Sequence, residues 1–167
     1  FSTNCQRNSG AVYIYQKIGN IWQQNAYIKA TNTEAWMIFG YSISLSADGS
    51  SLAVGASGEN SGATGVDGNS INDCTVTDTI GVSIDNPTPK NCRKESGAVY
   101  VYNKLNNSWQ PPTYIKALTT DENSLFGRTI VLSADGNTLA VGAQHESSGA
   151  TGVDGGQLND CYLLNNS

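Results

Sequence analysis

Hydrophobic and polar positions alternate over short segments of the chain, and turn residues separate these segments. In residues 41–45 every second side chain is apolar, which predicts a β-strand with Ile43 and Leu45 pointing inward. The Ala-Asp-Gly-Ser sequence at residues 47–50 is a tight-turn signature, and residues 52–56 are the returning strand. Together they predict a β-hairpin.

A second strand pattern occupies residues 11–15, which are rich in β-branched and aromatic side chains. Alternation along a strand places Val12 and Ile14 on one face. Tyr13 and Tyr15 then lie on the opposite face. A further strand is predicted around Ile21 to Ala30, so this part of the chain supplies four short strands.

The strand pattern occurs twice, at a constant offset of 87 residues and without gaps. Such a period identifies a structural module that is duplicated whole. The matching segments are Ser9–Tyr15 with Ser96–Tyr102, Trp22-Gln23 with Trp109-Gln110, Tyr27–Ala30 with Tyr114–Ala117, Phe39-Gly40 with Phe126-Gly127, Leu45–Gly49 with Leu132–Gly136, and Leu52–Ala56 with Leu139–Ala143. Pro111-Pro112 in the second copy would interrupt a ladder, so the strand there is expected to be an edge or bulged strand.

The order of these motifs resembles the FG-GAP repeat of integrin-α-like β-propellers. Phe39-Gly40 precedes the hairpin, Ala53–Ala56 reads Ala-Val-Gly-Ala, and Gly97–Tyr102 reads Gly-Ala-Val-Tyr-Val-Tyr. The resemblance implies an all-β fold of propeller-type blades with four antiparallel strands each, two blades in this chain. Asp48-Gly49 and Asp135-Gly136 lack the Asp-x-Asp-x-Asp-Gly calcium loop of many such blades, so calcium at the hairpin is not implied.

Three parts of the chain are distinguished on this basis. Residues 1–80 form the first repeat, a blade with its outgoing loop, and residues 92–167 form the second. Residues 81–91 form the loop between them. Aromatic side chains that recur in both repeats are expected to pack between blades rather than to form a sugar-binding platform. They are Tyr13, Tyr15, Trp22, Tyr27 and their equivalents in the second repeat.

The four cysteines obey the same period. Cys74 and Cys92 bracket the loop between the repeats and are predicted to form a disulfide, worth on the order of 3 kcal/mol in the chain-entropy model. Zinc is the weaker alternative because the usual ligand spacing is missing. Cys5 and Cys161 are predicted to bond to neighbouring units. Disulfides predict an oxidising, extracellular or cell-surface location.

The loop after the Val-Gly-Ala strand is the best candidate for a metal site. Glu59 and Asp67 in the first repeat return as Glu146 and Asp154 in the second. Carboxylates and carbonyls in a glycine-rich loop are ligands that calcium takes. The favoured alternative is a structural turn in which the carboxylates bind backbone amides.

Several function classes are disfavoured. A net charge of −5 and the absence of a basic stripe argue against nucleic acid as a partner. No apolar stretch is long enough for a signal peptide or a membrane span, and a chain that starts at Phe1 is expected to be processed or a fragment. No catalytic motif is present, and the single histidine, His145, is expected to be a solvent-facing loop residue. Sequons at Asn106 and Asn165 are candidate N-glycosylation sites.

The sequence therefore predicts a non-catalytic extracellular structural or adhesion module. Its expected partners are further copies of the same repeat, in one longer chain or in a homo-oligomer, and protein or glycan ligands. The alternatives are a self-assembling fibre or ring subunit and a calcium-dependent lectin-like binding module.

Overall fold

The computed structural model describes residues 5–67 and 92–153 and shows that the chain is all-β there, with strands and no helix. The predicted all-β class is confirmed. The strands are β1 (Val12–Ile18), β2 (Ile21–Ile28), β3 (Phe39–Leu45), β4 (Ser51–Ala56), β5 (Ala98–Leu105), β6 (Ser108–Trp109), β7 (Thr113–Ile115), β8 (Thr129–Leu132) and β9 (Leu139–Gly142). Each predicted strand has a counterpart within a few residues of its expected position.

The strands form three antiparallel sheets. The first sheet contains β1 and β2, and the third sheet contains β8 and β9. The central sheet contains β3, β4 and β5, with β6 and β7 both paired to β5. The central sheet thus takes two strands from the first repeat and the rest from the second. This corrects the expected grouping, in which the four strands of one repeat would share a sheet.

The central sheet crosses the repeat boundary through the pairing of β4 with β5. Ala56 lies opposite Ala98, Val54 opposite Tyr100, and Leu52 opposite Tyr102. Among the described strands no closed barrel or propeller forms.

Both faces of the central sheet are buried at β4 and β5. One face packs against the first sheet, and its core includes Val12 and Ile28 from that sheet with Tyr100 and Tyr114 from the central one. The other face packs against the third sheet, where Ala53 and Val99 meet Ile130. The first and third sheets therefore lie on opposite faces of the central sheet.

The predicted facing of β1 is confirmed, because Val12 is buried whereas Tyr13 and Tyr15 are exposed. The prediction for β3 is wrong, because Ile43 and Leu45 are 57% and 50% exposed. Their equivalents in the second repeat, Ile130 and Leu132, are 8% and 7% exposed. Ile130 is covered by the central sheet, and no described strand covers Ile43 in the same way.

Pro111-Pro112 has the expected effect on the ladder. The eight-residue β2 of the first repeat is replaced by two short strands, β6 and β7, which end and begin on either side of the prolines. The turn from β5 to β6 has Asn106 and Asn107 at φ 49° and 64°. Two successive left-handed residues are the signature of a type I′ hairpin.

Glycines at the start of β1 and β5 allow a close backbone approach. Gly97 has φ +81°, and a Cβ there would lie 2.0 Å from the carbonyl oxygen of Phe126. Gly10 has the same φ and the same approach to Phe39. Each repeat is thus closed on itself by a bridge between its Ser-Gly-Ala and Phe-Gly motifs.

Candidate functional site at the repeat junction

A buried ion pair joins the two repeats. Glu59 follows β4, and Lys116 follows β7. The Nζ atom of Lys116 lies 2.7 Å from Oε2 of Glu59, and both side chains are fully buried. Because an unpaired buried charge is costly, each residue depends on the other for its place in the core.

Neighbouring polar groups form further hydrogen bonds with the two charged side chains. Oε1 of Glu59 accepts hydrogen bonds from the backbone N–H of Ser61 at 3.1 Å and from the side-chain amide of Asn32 at 3.3 Å. Lys116 also donates to Oγ of Ser96 at 2.7 Å. The hydroxyl of Tyr100 donates to Asn32 at 2.5 Å. The pair therefore lies in a connected polar network inside the apolar core.

Burial changes the proton affinities around the network. Burial lowers the pKa of Lys116, and the Glu59 carboxylate opposes this effect. Burial also raises the pKa of Tyr100, Tyr102 and Tyr114 well above the ordinary range, and the charge of Glu59 adds to this for Tyr100 and Tyr114. These three residues are called the buried tyrosines below.

Half of the same site recurs in the first repeat. Lys29 is the equivalent of Lys116, and its Nζ donates to Oγ of Ser9 at 2.6 Å, as Lys116 does to Ser96. Its other bond goes to the carbonyl oxygen of Gly10 at 2.5 Å. No carboxylate in residues 5–67 or 92–153 pairs with Lys29.

The other half recurs in the second repeat. Glu146 is the equivalent of Glu59, and its Oε1 accepts from the N–H of Ser148 at 2.8 Å, as Glu59 does from Ser61. Its Oε2 accepts from the Ser148 hydroxyl at 2.8 Å. Glu146 is exposed, and within the described part of the chain no lysine or arginine pairs with it.

The first sheet exposes aromatic side chains whose equivalents are core residues. The buried tyrosines are between 0% and 5% exposed, whereas their equivalents in the first sheet are between 53% and 57% exposed. Those equivalents are Tyr13, Tyr15 and Tyr27. These aromatic residues are thus core residues in the second repeat and surface residues in the first, and packing between blades stays a prediction.

The residues predicted to bind calcium make other contacts. Glu59 binds a lysine ammonium, and Oδ1 of Asp67 accepts from the N–H of Tyr114 at 3.1 Å. Asp154 lies outside the described residues. Among the residues described, no group of three or more His, Cys, Asp or Glu could hold a metal ion. The contacts of Glu59 and Asp67 favour the structural alternative, and calcium binding stays a prediction.

The cysteines differ between the repeats. Cys92 is disulfide-bonded and lies opposite Ser61 in an isolated bridge, next to the buried pair. Its equivalent, Cys5, is exposed and free. Cys74 and Cys161 lie outside the described residues, so both predicted pairings stay predictions.

Asn106 and His145, two of the remaining candidate residues, lie on the surface. Asn106 is exposed in the β5–β6 turn, and Asn165 lies outside the described residues. His145 is exposed, and its Nε2 is 3.2 Å from the side-chain nitrogen of Gln144. In the described ranges no helix is long and apolar enough to cross a membrane.

A cleft of about 860 Å³ opens between segments of the two repeats. Its lining includes Trp36 and Ile38 from the first repeat and Glu95 and Arg128 from the second. Trp36 and Ile38 have φ values of 66° and 56°, a conformation that costs energy for side-chain-bearing residues. The guanidinium of Arg7 lies 4.9 Å from the centroid of the Trp36 ring.

The sequence reasoning missed the lysine and serine of the junction. Lys29 with Lys116 and Ser9 with Ser96 were visible as residues that recur at the 87-residue offset. A charged residue that recurs inside an otherwise apolar strand segment, as in Tyr-Ile-Lys-Ala, is the signal that could have identified them.

No family model, no curated protein and no solved structure matches this chain.

Proposed function

We propose that this chain is a non-catalytic extracellular structural or adhesion module, built from FG-GAP-like repeats that form propeller-type blades and associate with further copies. A complete blade is the central sheet, with β3 and β4 from the first repeat and β5, β6 and β7 from the second, where β6 and β7 together correspond to the single strand β2. The first and third sheets are then two halves of further blades.

One observation carries the proposal. Residues that are equivalent by the 87-residue offset are buried at the junction and exposed at the outer sheets, as Tyr100 and Tyr13 illustrate at 0% and 57%. Large exposed apolar patches mark interaction surfaces in soluble proteins. The equivalents of these exposed side chains in the second repeat are buried against the other repeat of the same molecule. A further repeat is therefore the expected partner of the exposed ones.

The disulfide at Cys92 supports an extracellular location, because disulfides persist in oxidising compartments. The Glu59–Lys116 pair supports a structural role for the repeated acidic loop, since it binds the two repeats together. The lectin-like alternative has one supporting feature, the cleft beside Trp36, whose aromatic and charged lining suits a polar ligand.

Bead aggregation tests the adhesive function. Beads that carry the chain at high density should cluster, and soluble chain in excess should disperse them by occupying the open surfaces. Beads that carry an unrelated protein of similar charge are the control. Beads that remain dispersed at every coating density would contradict the proposal, and a glycan array in parallel tests the lectin-like alternative.

A further inference from the structure

We propose that a second copy of this chain docks head to tail, so that β9 of one copy pairs with β1 of the next and Glu146 of the first copy binds Lys29 of the second. This inference rests on the proposed association of copies and adds its register and its buried contacts. The junction between β4 and β5 inside the chain is the template.

The strand edges fit such a pairing. In the central sheet β5 has β4 on one side and β7 on the other, whereas β1 is paired only with β2 among the described strands. In the same way β9 is paired only with β8. Open edges of this kind invite another strand. Shifting the β4–β5 register by one repeat places Leu139 opposite Tyr15 and Val141 opposite Tyr13 of the next copy.

The two edges cannot meet within one molecule. The first and third sheets pack on opposite faces of the central sheet, with Val12 and Ile28 on one side and Ile130 on the other. Pairing of β9 with β1 therefore requires two copies, and the contact is heterologous. Such contacts give a ring if the rotation closes and a filament if it does not.

Exposed apolar side chains would be buried by the same contact. Ile130 is covered by Ala53 of β4 and Val99 of β5. In the proposed pairing, Ile43 takes the position of Ile130, and Ala140 takes the position of Ala53. Ala140 lies on β9 of the other copy, which is called the docked copy. The added sheet would thus cover Ile43, which is 57% exposed in the single chain. Tyr13 would meet Phe126 of the docked copy, as Tyr100 meets Phe39 with ring centroids 5.4 Å apart.

Charge complementarity favours a second copy of this chain as the binding partner. Lys29 is held by Ser9 as Lys116 is held by Ser96, and Glu146 is held by the Ser148 N–H as Glu59 is held by that of Ser61. These are two halves of one site, and the central pair at 2.7 Å shows the complete version. The second copy supplies to each half the charge that it lacks.

Charge reversal tests the register. Sedimentation velocity is measured on the full chain and on two variants, Lys29→Glu and Glu146→Lys. Each variant places like charges at every contact between its own copies, so self-association should weaken at least about 30-fold. An equimolar mixture of the two variants should associate like the parent, because every mixed contact again joins a lysine to a glutamate. The double variant K29E/E146K should also associate.

Matched controls separate local from general charge effects. Lys94→Glu makes the same charge change as Lys29→Glu at an exposed position away from β1 and β9 and should leave association unchanged. Near-ultraviolet circular dichroism from the buried tyrosines reports that each variant is folded. If Lys29→Glu does not fold, Lys29→Gln removes the charge without reversing it and should still weaken association.

The outcomes separate this inference from the proposed function. If the parent associates and the two single variants associate as strongly, the register is wrong while association of copies stands. If the single variants fail to associate but their mixture also fails, the Lys29–Glu146 contact is refuted. If the parent does not associate at any concentration, both proposals fail.

Discussion

Substitution of Glu59 by glutamine should be among the most destabilising single changes in the chain. The side chain has nearly the same shape, but the carboxylate that faces Lys116 at 2.7 Å becomes neutral. Lys116 is then a fully buried ammonium without a counter-charge. Breaking a buried pair by removing one partner costs about 3–5 kcal/mol. Since domains of this kind are stable by about 5–15 kcal/mol, this is a large fraction of the total.

The second repeat provides a matched control. Glu146→Gln makes the same change at the equivalent position, where the carboxylate is exposed and accepts from Ser148 alone among the described residues. In the single chain we expect its effect to lie within about 0.5 kcal/mol of zero. The comparison therefore isolates the contribution of burial and of the lysine partner.

Urea unfolding, followed by tryptophan fluorescence at a concentration where the chain is monomeric, measures both variants. A further variant, E59Q/K116M, removes both charges and should recover part of the loss, because the uncompensated ammonium is gone. Equal losses of unfolding free energy for Glu59→Gln and Glu146→Gln would refute the reasoning. So would a double variant that is less stable than Glu59→Gln alone.

Three further outcomes are expected. The buried tyrosines have pKa values raised above the unfolded value of about 10, so the stability they contribute is complete below that pH and is lost as the pH rises above it. Tyrosinate absorbance from these residues should appear only with unfolding, and their titration in a chain that circular dichroism reports as folded would contradict this. Gly97→Ala should lower the free energy of unfolding by about 1–3 kcal/mol for the forced shift of Phe126 and by about 1–2 kcal/mol more for its positive φ. Gly19→Ala, with φ +61° and no atom within 4 Å of the added Cβ, should show only the cost of the positive φ. Equal melting temperatures for the two variants would contradict this. A chelator should leave the melting temperature unchanged, because Glu59 is bound to lysine and Asp67 to a backbone amide. If the chelator lowers the melting temperature, added calcium restores it, and Asp67→Ala removes this dependence, the calcium hypothesis is supported instead.

Strand positions followed from the sequence because alternation and turn chemistry act locally. The prediction that Val12 and Tyr13 lie on opposite faces of β1 is correct for this reason. The facing of Ile43 was not, since whether a strand face is covered depends on which sheet lies over it. Alternation specifies two faces of a strand and does not say which neighbour exists.

The sheet boundaries and the buried pair were beyond local reasoning. An 87-residue period defines the length of the repeating unit but not the point at which the chain passes from one sheet to the next. Pairing of β4 with β5 across the repeat boundary is a tertiary choice. Glu59 and Lys116 are 57 residues apart in sequence, and only that pairing brings them together. The sequence predicts the acidic loop as a candidate calcium site with a structural turn as the favoured alternative, and in the structure Glu59 binds a lysine.

The native mass of the chain in solution tests the central claim most directly. Sedimentation equilibrium over a wide range of protein concentration, with and without a reducing agent, measures it. We expect species at integer multiples of 17.6 kDa whose population grows with concentration. A single 17.6 kDa species at every concentration, under both conditions, would contradict the account.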